Sequence, residues 1–269
     1  MDLTALLSSA GLVDFAALPA ENLPLLGGKR LPQGMKSVIV CLFPYFTGFY
    51  PGRNISLYAL SADYHTLAGG MLKEAAAQMA VQRPHARLTT FVDASPIDEV
   101  AAAHRAGLGD RGQNGLLITP RWGQFVFIGC ILTDLGCDEL GLSARQPPRL
   151  CDRCDRCVAA CPTGALSPGG FERTRCCSEI TQKKGDLTEW ESNQVAAGGL
   201  VWGCDHCLLA CPHNQAPEVT PIPAFKQRVL PVLTGADIDN IDDRAYLWRG
   251  RTPLRRNLGL ISKGPTSPL

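Results

Sequence analysis

The chain has no long apolar run and little excess charge. Its longest apolar stretch, residues 125–132, falls far short of the ~20 residues that a bilayer-crossing helix needs, so no membrane span is expected. Charged residues make up 19% of the 269, and the formal net charge is +1. That balance excludes wholesale attraction to nucleic acid or to an anionic membrane. The opening Met-Asp-Leu-Thr lacks the basic segment and apolar core of a secretion signal. A hydrophobic content of 45% is that of a soluble globular protein, and the length allows one large domain or two smaller ones.

What the chain has in excess is cysteine, with twelve residues. Eight lie in two runs. The first is Cys151-x2-Cys154-x2-Cys157-x3-Cys161-Pro162; the second is Cys176, then 27 residues, then Cys204-x2-Cys207-x3-Cys211-Pro212. Three thiolates at two-residue gaps wrap three iron corners of one cubane from a single loop. The fourth, followed by proline, is expected on a short helix and reaches the other cubane. The spacing therefore assigns Cys151, Cys154, Cys157 and Cys211 to one [4Fe–4S] cluster, and Cys161, Cys176, Cys204 and Cys207 to a second. A zinc ribbon would explain two CxxC pairs but not the further cysteines or the two Cys-Pro endings. A disulfide framework is the other bland reading. Cluster ligands must stay thiolates, so a reducing cytoplasm is the expected location. Cys41, Cys130, Cys137 and Cys177 are left over.

Along the chain, residues 3–18 read as two short helical patterns broken at Gly11, with Asp14 as a cap before Phe15. Residues 37–43 form a nearly continuous apolar run stopped by Pro44, a buried strand. The next segment is rich in rings (Tyr45, Phe46, Phe49, Tyr50), which usually pack in a core but would also suit a flat cofactor. Residues 63–81 have helical periodicity, 87–92 alternate as a strand, 97–106 read as a helix, and two further strands fall within 116–118 and 125–132. The alternation predicts an α+β architecture: a layered α/β domain over residues 1–145, a ferredoxin-like double-cluster domain over 146–218, and a basic helical segment over 219–269. Thr188-x-x-Glu191 is a capping-box pattern.

Four local patterns need weighing. Gly107-Leu-Gly-Asp-Arg-Gly112 matches GxGxxG, but a helix precedes it and a strand follows, which is the wrong context for a dinucleotide site. Asp63-Tyr64-His65 begins like an Asp-x-His cobalamin motif whose histidine ligates cobalt. That motif places glycine three residues after the histidine, where this chain has Ala68, so the local pattern favours Asp63 as a helix cap. Asp93 ends a strand, where reacting groups project in α/β layers; taken locally, it reads first as a cap for the helix after Ile97. From Arg244 onward there are six basic residues and no acidic one, which suits phosphate binding and a solvated end equally.

Taken together, several ordered segments resemble the epoxyqueuosine reductase family, relatives of the corrinoid-dependent reductive dehalogenases. They are Tyr58-Ala-Leu-Ser-Ala-Asp-Tyr-His65, Phe91-Val-Asp-Ala-Ser-Pro96, Arg105-Ala-Gly-Leu-Gly109, Phe127-Ile-Gly-Cys-Ile-Leu-Thr-Asp134, CDRCDRCVAACPTGAL from Cys151, Arg175-Cys-Cys-Ser178, and Trp202 through Asn214. Alignment on Arg-Cys-x-Ser makes Cys176 the isolated ligand. The resemblance implies reduction of an epoxide on a tRNA base to an alkene with loss of water. It also implies a cobalamin, with contacts at Asp63, Tyr64 and His65, fed through the two clusters by an external low-potential electron donor. Asp93 then becomes the proton donor, and Arg249, Arg251, Arg255 and Arg256 become candidates for tRNA contact.

The chain departs from the family pattern in four ways. The C-terminal helical-repeat extension is not seen, the N-terminus is shorter, Asp110, Arg111 and Gln113 replace Trp, Ile and Lys of the family loop, and Cys130 stands where a polar or acidic residue is common. Two other functions compete: a two-cluster electron-transfer protein without corrinoid, and a corrinoid reductase with a non-tRNA substrate.

Overall fold

The computed structural model describes residues 2–264. Packing divides them into two units, each built from separated stretches of chain. The first comprises Met1–Tyr45, Tyr64–Arg153 and Pro217–Ala224; the second comprises Phe46–Asp63, Cys154–Ala216 and Phe225–Leu269. The units are thus interleaved in sequence, whereas the expected domains were consecutive.

The first unit is built on four antiparallel strands in the order β1-β2-β6-β3: β1 (Asp14–Pro19), β2 (Ser37–Pro44), β3 (Leu88–Val92) and β6 (Val126–Thr133). Every residue of β2 is buried, because helices cover both faces of the sheet; this is why its sequence runs apolar without alternation. On one face α3 (Glu99–Arg105) brings Ala102 and Ala103 against Val38, Val40, Leu42, Cys130 and Leu132. On the other lies α2 (Tyr64–Gln82), which buries Ala68, Leu72, Ala75 and Met79. Leu72 approaches so closely that a Cβ on Gly129 would lie 2.7 Å from its Cδ1, so β6 needs glycine there. Burying each large aliphatic side chain in this core contributes about 1.5–3 kcal/mol. A short helix, α1 (Leu3–Ser9), packs beside α2. The two-residue strands β4 (Asp110–Arg111) and β5 (Leu117–Ile118) pair with each other, and α4 (Cys137–Leu140) packs near β1.

Two sequence expectations fail in this unit. Residues 14–19 are a strand and not a second helix. They pair with β2 from Asp14↔Leu42 to Pro19↔Ser37, burying Phe15 to Leu18; tertiary pairing overrides local propensity. Asp14 instead accepts a bond from Arg145 at 2.8 Å. Nor does Asp93 cap α3: Asp98 does, accepting from the Ala101 amide at 3.0 Å.

The second unit holds the short helices α5 (Arg156–Ala159), α6 (Cys177–Thr181), α7 (Glu189–Gly198) and α8 (His206–Leu209), and a two-residue hairpin of β7 (Leu166–Ser167) and β8 (Gly170–Phe171). After α9 (Pro223–Lys226) come α10 (Gly235–Asn240) and α11 (Thr252–Lys263). The capping box forms as read: Thr188 and Glu191 bond each other's amides at the start of α7. α11 packs against α6 and α7. Its buried Asn257 donates to the carbonyls of Thr181 and Val201, both at 2.8 Å. The segment Phe46–Asp63 is held by Trp202, whose indole N–H donates to Tyr58 Oη at 2.6 Å, and by Ser61, whose hydroxyl donates to the Phe225 carbonyl at 2.6 Å.

The Cys-Pro cysteines lie just past the short helices and not on them: α5 stops at Ala159 and α8 at Leu209, before Cys161 and Cys211. A residue before proline is pushed out of the helical region, and Cys211 is extended at φ −71°, ψ 127°. Among the described residues no helix is long and apolar enough to cross a membrane.

Candidate active site and cysteine centre

Strand β3 ends at Val92 and the chain turns at once. Asp93 has φ +65°, in the left-handed region that non-glycine residues rarely adopt. Two tight backbone bonds define the turn: Ala94 N to Val92 O at 2.9 Å, and Ser95 N to Asp93 O at 2.7 Å. The turn presents the Asp93 side chain to the first residues of α2. Tyr64 Oη donates to Asp93 Oδ2, and His65 Nε2 lies 3.0 Å from the same oxygen. The carboxyl is nevertheless 54% exposed and the imidazole 42%, so both remain open to a reactant.

Aromatic rings back this trio. Tyr64 stacks on Phe127 at 4.0 Å and 8°, and on His65 at 4.0 Å and 28°. Phe127 in turn meets Tyr45 at 4.4 Å. Both faces of Tyr64 are therefore taken, and its hydroxyl is aimed by packing.

Of the four residues expected around the reaction, the structure brings together Tyr64, His65 and Asp93. Asp63 belongs to the second unit, where its amide donates to Asp243 O at 2.8 Å. With His65 Nε2 committed to Asp93, that nitrogen does not fit as a cobalt ligand. Sequence reading missed Glu99 altogether. Its carboxyl lies behind the turn, and burial pushes its pKa up to about 7, aided by the nearby Asp93 charge.

The altered family loop has a structural task. Asp110 Oδ2 accepts the amides of Leu150 at 2.8 Å and Cys151 at 2.9 Å. Burial works against its charge, but these amides outweigh it and hold the carboxyl below the ordinary aspartate range. Arg111 pairs with Asp98 at 3.7 Å.

In the second unit the cysteine pattern becomes a cluster of thiols. No disulfide joins any of the twelve cysteines in this structure. Burial pushes Cys207 up to about 12, and the charges of Cys204, Cys176 and Cys161 push it the same way. Burial also raises Cys176, again with Cys204 and Cys161 adding to it. A hydrogen bond to Cys177 and then burial raise Cys204. Burial opposes ionisation of Cys161, but the amides of Leu166, Thr163 and Ala165 and the Thr163 hydroxyl outweigh it. The spacing assigned these four to the second cubane; Cys157, assigned to the first, also raises Cys207, and the leftover Cys177 is the largest influence on Cys204. Half-buried thiols that repel one another as anions make a donor set suited to cationic iron. Among the described residues no three His, Cys, Asp or Glu side chains gather closely enough to hold a single metal ion.

The loop bearing Cys204 and Cys207 is anchored by a residue that spacing alone did not single out. Asp205, 4% exposed, binds Arg53 Nη1 at 2.7 Å and accepts from Ser56 Oγ at 2.5 Å and from the Leu57 amide at 3.0 Å.

The four arginines expected near tRNA divide. Arg251 donates to the carbonyls of Ile238 and Ile241, each at 2.7 Å, and Arg256 to those of Lys183 and Gly185 at 2.8 and 2.6 Å. Both guanidiniums are engaged in holding the fold. Arg255 pairs with Asp239. Arg249 lies 3.7 Å above the ring of Trp248, which is 61% exposed.

Residues 28–94 match the family model "Epoxyqueuosine reductase QueG, DUF1730", and residues 150–214 match "4Fe-4S double cluster binding domain". The epoxyqueuosine reductase of Gloeobacter violaceus is 39% identical over 196 residues, covering 71% of this chain and 60% of that protein. The chain thus spans less than two thirds of that relative's length. The structure of epoxyqueuosine reductase from Streptococcus thermophilus superposes with a TM-score of 0.81 at 22% identity, covering 97% of this chain and 80% of that one. An epoxyqueuosine reductase crystallised with an epoxyqueuosine-modified tRNA stem loop gives 0.75 at 24% identity, with the same coverage. By sequence and by fold, the chain belongs to the epoxyqueuosine reductase family.

Proposed function

We propose that the chain is an iron–sulfur, corrinoid-dependent reductase that converts epoxyqueuosine to queuosine in tRNA. The observation that carries the reading is the exposed Asp93 carboxyl, held in a left-handed turn by Tyr64 and His65. A carrier of electrons needs no such acid. Opening the epoxide to an alkene takes two electrons and two protons, and the oxygen leaves as water. Asp93 would give the departing oxygen a proton, and Tyr64 and His65 would aim the carboxyl and support its charge afterwards. A corrinoid, when bound, would supply the electron pair. Cys151, Cys154, Cys157 and Cys211, with Cys161, Cys176, Cys204 and Cys207, would hold the two clusters that take electrons singly from an external donor. Of the four arginines, the exposed Arg255 and the half-buried Arg249, which lies over the exposed Trp248 ring, are the ones whose guanidiniums are not spent on backbone carbonyls and would meet a tRNA backbone or base. The relative crystallised with a modified tRNA stem loop is consistent with such a partner.

The test is anaerobic loading with iron, sulfide and cobalamin, followed by mass analysis of nucleosides from epoxyqueuosine-containing tRNA under a low-potential reductant. Queuosine should form, and Asp93→Asn should lower kcat by at least about a hundredfold. Parental turnover in Asp93→Asn would remove the proton-donor role. A chain that takes up iron but no corrinoid, and forms no queuosine, would be an electron carrier.

A further inference from the structure

The segment that joins Trp202 to α8 sets a histidine beside a cluster cysteine. His206 Nδ1 lies 3.3 Å from Cys204 Sγ, within reach of a hydrogen bond to sulfur. The chain on either side of Cys204 is fixed. Asp205, between the two residues, is buried and held by Arg53, Ser56 and the Leu57 amide. Gly203 has φ +81°, its amide donates to Thr181 Oγ1 at 2.9 Å, and a Cβ there would lie 2.4 Å from that of Ser56. His206 itself opens α8, its carbonyl accepting from the Ala210 amide at 3.1 Å. The contact of imidazole with sulfur is thus set by a fixed backbone and not by two wandering side chains. In the first cysteine run the same place, between Cys154 and Cys157, is taken by Arg156, so the imidazole distinguishes the loop of the second cubane.

The direction of the bond follows from chemistry. A thiolate bound to iron has no hydrogen of its own, so in the loaded protein Nδ1 donates and Sγ accepts. Hydrogen bonds to the ligand sulfurs are among the factors that set a cluster's potential. An added electron increases the negative charge on the sulfurs, and a hydrogen bond to a charged acceptor strengthens with that charge. The donor therefore stabilises the reduced state more than the oxidised one.

We propose that His206 is a positioning residue of the electron relay: its Nδ1–H donates to the Cys204 thiolate and raises the potential at which the second cubane accepts an electron. The single electron comes from the external low-potential donor, and the imidazole keeps its proton throughout. The proposal rests on the two-cluster reading of the cysteines and is independent of the corrinoid and of the tRNA substrate.

Two substitutions test it in the full chain, loaded anaerobically with iron and sulfide. His206→Leu removes the donor, whereas His206→Asn keeps one, because the asparagine amide nitrogen reaches about the place of Nδ1. Reduction by dithionite is followed by electron paramagnetic resonance at poised potentials. In His206→Leu one of the two midpoints should fall and the other should hold. At the parental midpoint of that cluster the reduced-to-oxidised ratio should drop about tenfold, a shift of ~59 mV for one electron. His206→Asn should stay close to the parent. With nitrogen-15 histidine, pulsed resonance of the reduced parent should show a weak nitrogen coupling that both variants lack.

Unmoved midpoints in a His206→Leu protein that still holds about eight irons, or a parent without the nitrogen coupling, would overturn the proposal and leave the clusters in place. A coupling as strong as that of a direct iron–nitrogen bond would also overturn it, since His206 would then be a ligand. Zinc in place of iron would remove the cluster reading and the proposal together. If His206→Leu does not retain its iron, the coupling in the parent and the midpoint of His206→Asn decide.

Discussion

Glu99 and Asp110 sit in the same unit, yet their carboxyls move in opposite directions. Burial raises Glu99, whereas two backbone amides overcome burial at Asp110 and lower it. The consequences for stability have opposite signs. Glu99 titrates near 7 when folded and at about 4.3 when unfolded, so between those values the folded state holds the extra proton. Stability therefore falls as pH rises through that window, by on the order of 3 kcal/mol in full. Glu99→Gln should be the more stable protein at pH 8, and its melting advantage should grow steadily from pH 5. An advantage that does not change with pH would contradict the buried charge. Asp110 behaves conversely: its contribution is present above the ordinary aspartate range and is lost as pH falls through its lowered value. At this scale the sequence was informative about chemistry that clusters locally, such as Tyr64 beside His65. It was silent on Glu99, because nothing in the sequence around it says that the helix start is buried.

Elements were legible where a local rule decides them. Thr188 and Glu191 close their capping box because both partners lie within one turn, and the periodicity of α2 needs no partner to be seen. β1 was not legible, since only pairing with β2 makes a strand of residues that also suit a helix. The two Cys-Pro positions were misplaced by a residue or two because proline acts on its predecessor. The hold on the Cys204–Cys207 loop was likewise hidden, as Arg53 and Ser56 lie far from Asp205 in sequence. Removing one member of a buried pair costs about 3–5 kcal/mol, whereas replacing both by apolar groups is close to neutral. Asp205→Ala should thus lower the unfolding free energy by about 3 kcal/mol or more and reduce the iron retained after anaerobic loading. Arg53→Met combined with Asp205→Leu should recover most of the stability. Equal losses in the single and double variants, read by denaturant titration, would mean that the pair does not anchor the loop.

The whole molecule is organised by a chain that changes unit five times, at residues 45/46, 63/64, 153/154, 216/217 and 224/225. Cysteine spacing made residues 146–218 look like a module that could stand alone. Packing shows what that span leaves out: Arg53 and Ser56 beneath Asp205, Tyr58 against Trp202, Tyr246 6.1 Å from Trp202, and Asn257 bonded to Thr181 and Val201. A fragment of residues 146–218 should therefore lack the far-ultraviolet signature of its helices and bind well under about eight irons. A fragment that loads fully and melts cooperatively would show these supports to be dispensable.

The same interleaving constrains how the protein is made. Residues 46–63 leave the ribosome with Asp205 still about 150 residues away, roughly 10–30 s at ordinary elongation rates. Until then Arg53 has no carboxylate and Tyr58 no indole to receive. Asn257, which ties α11 to the carbonyls of Thr181 and Val201, comes later still. The supports of the Cys204–Cys207 loop and of the segment before it are therefore complete only when almost the whole chain has left the ribosome, and the first unit itself waits for residues 217–224.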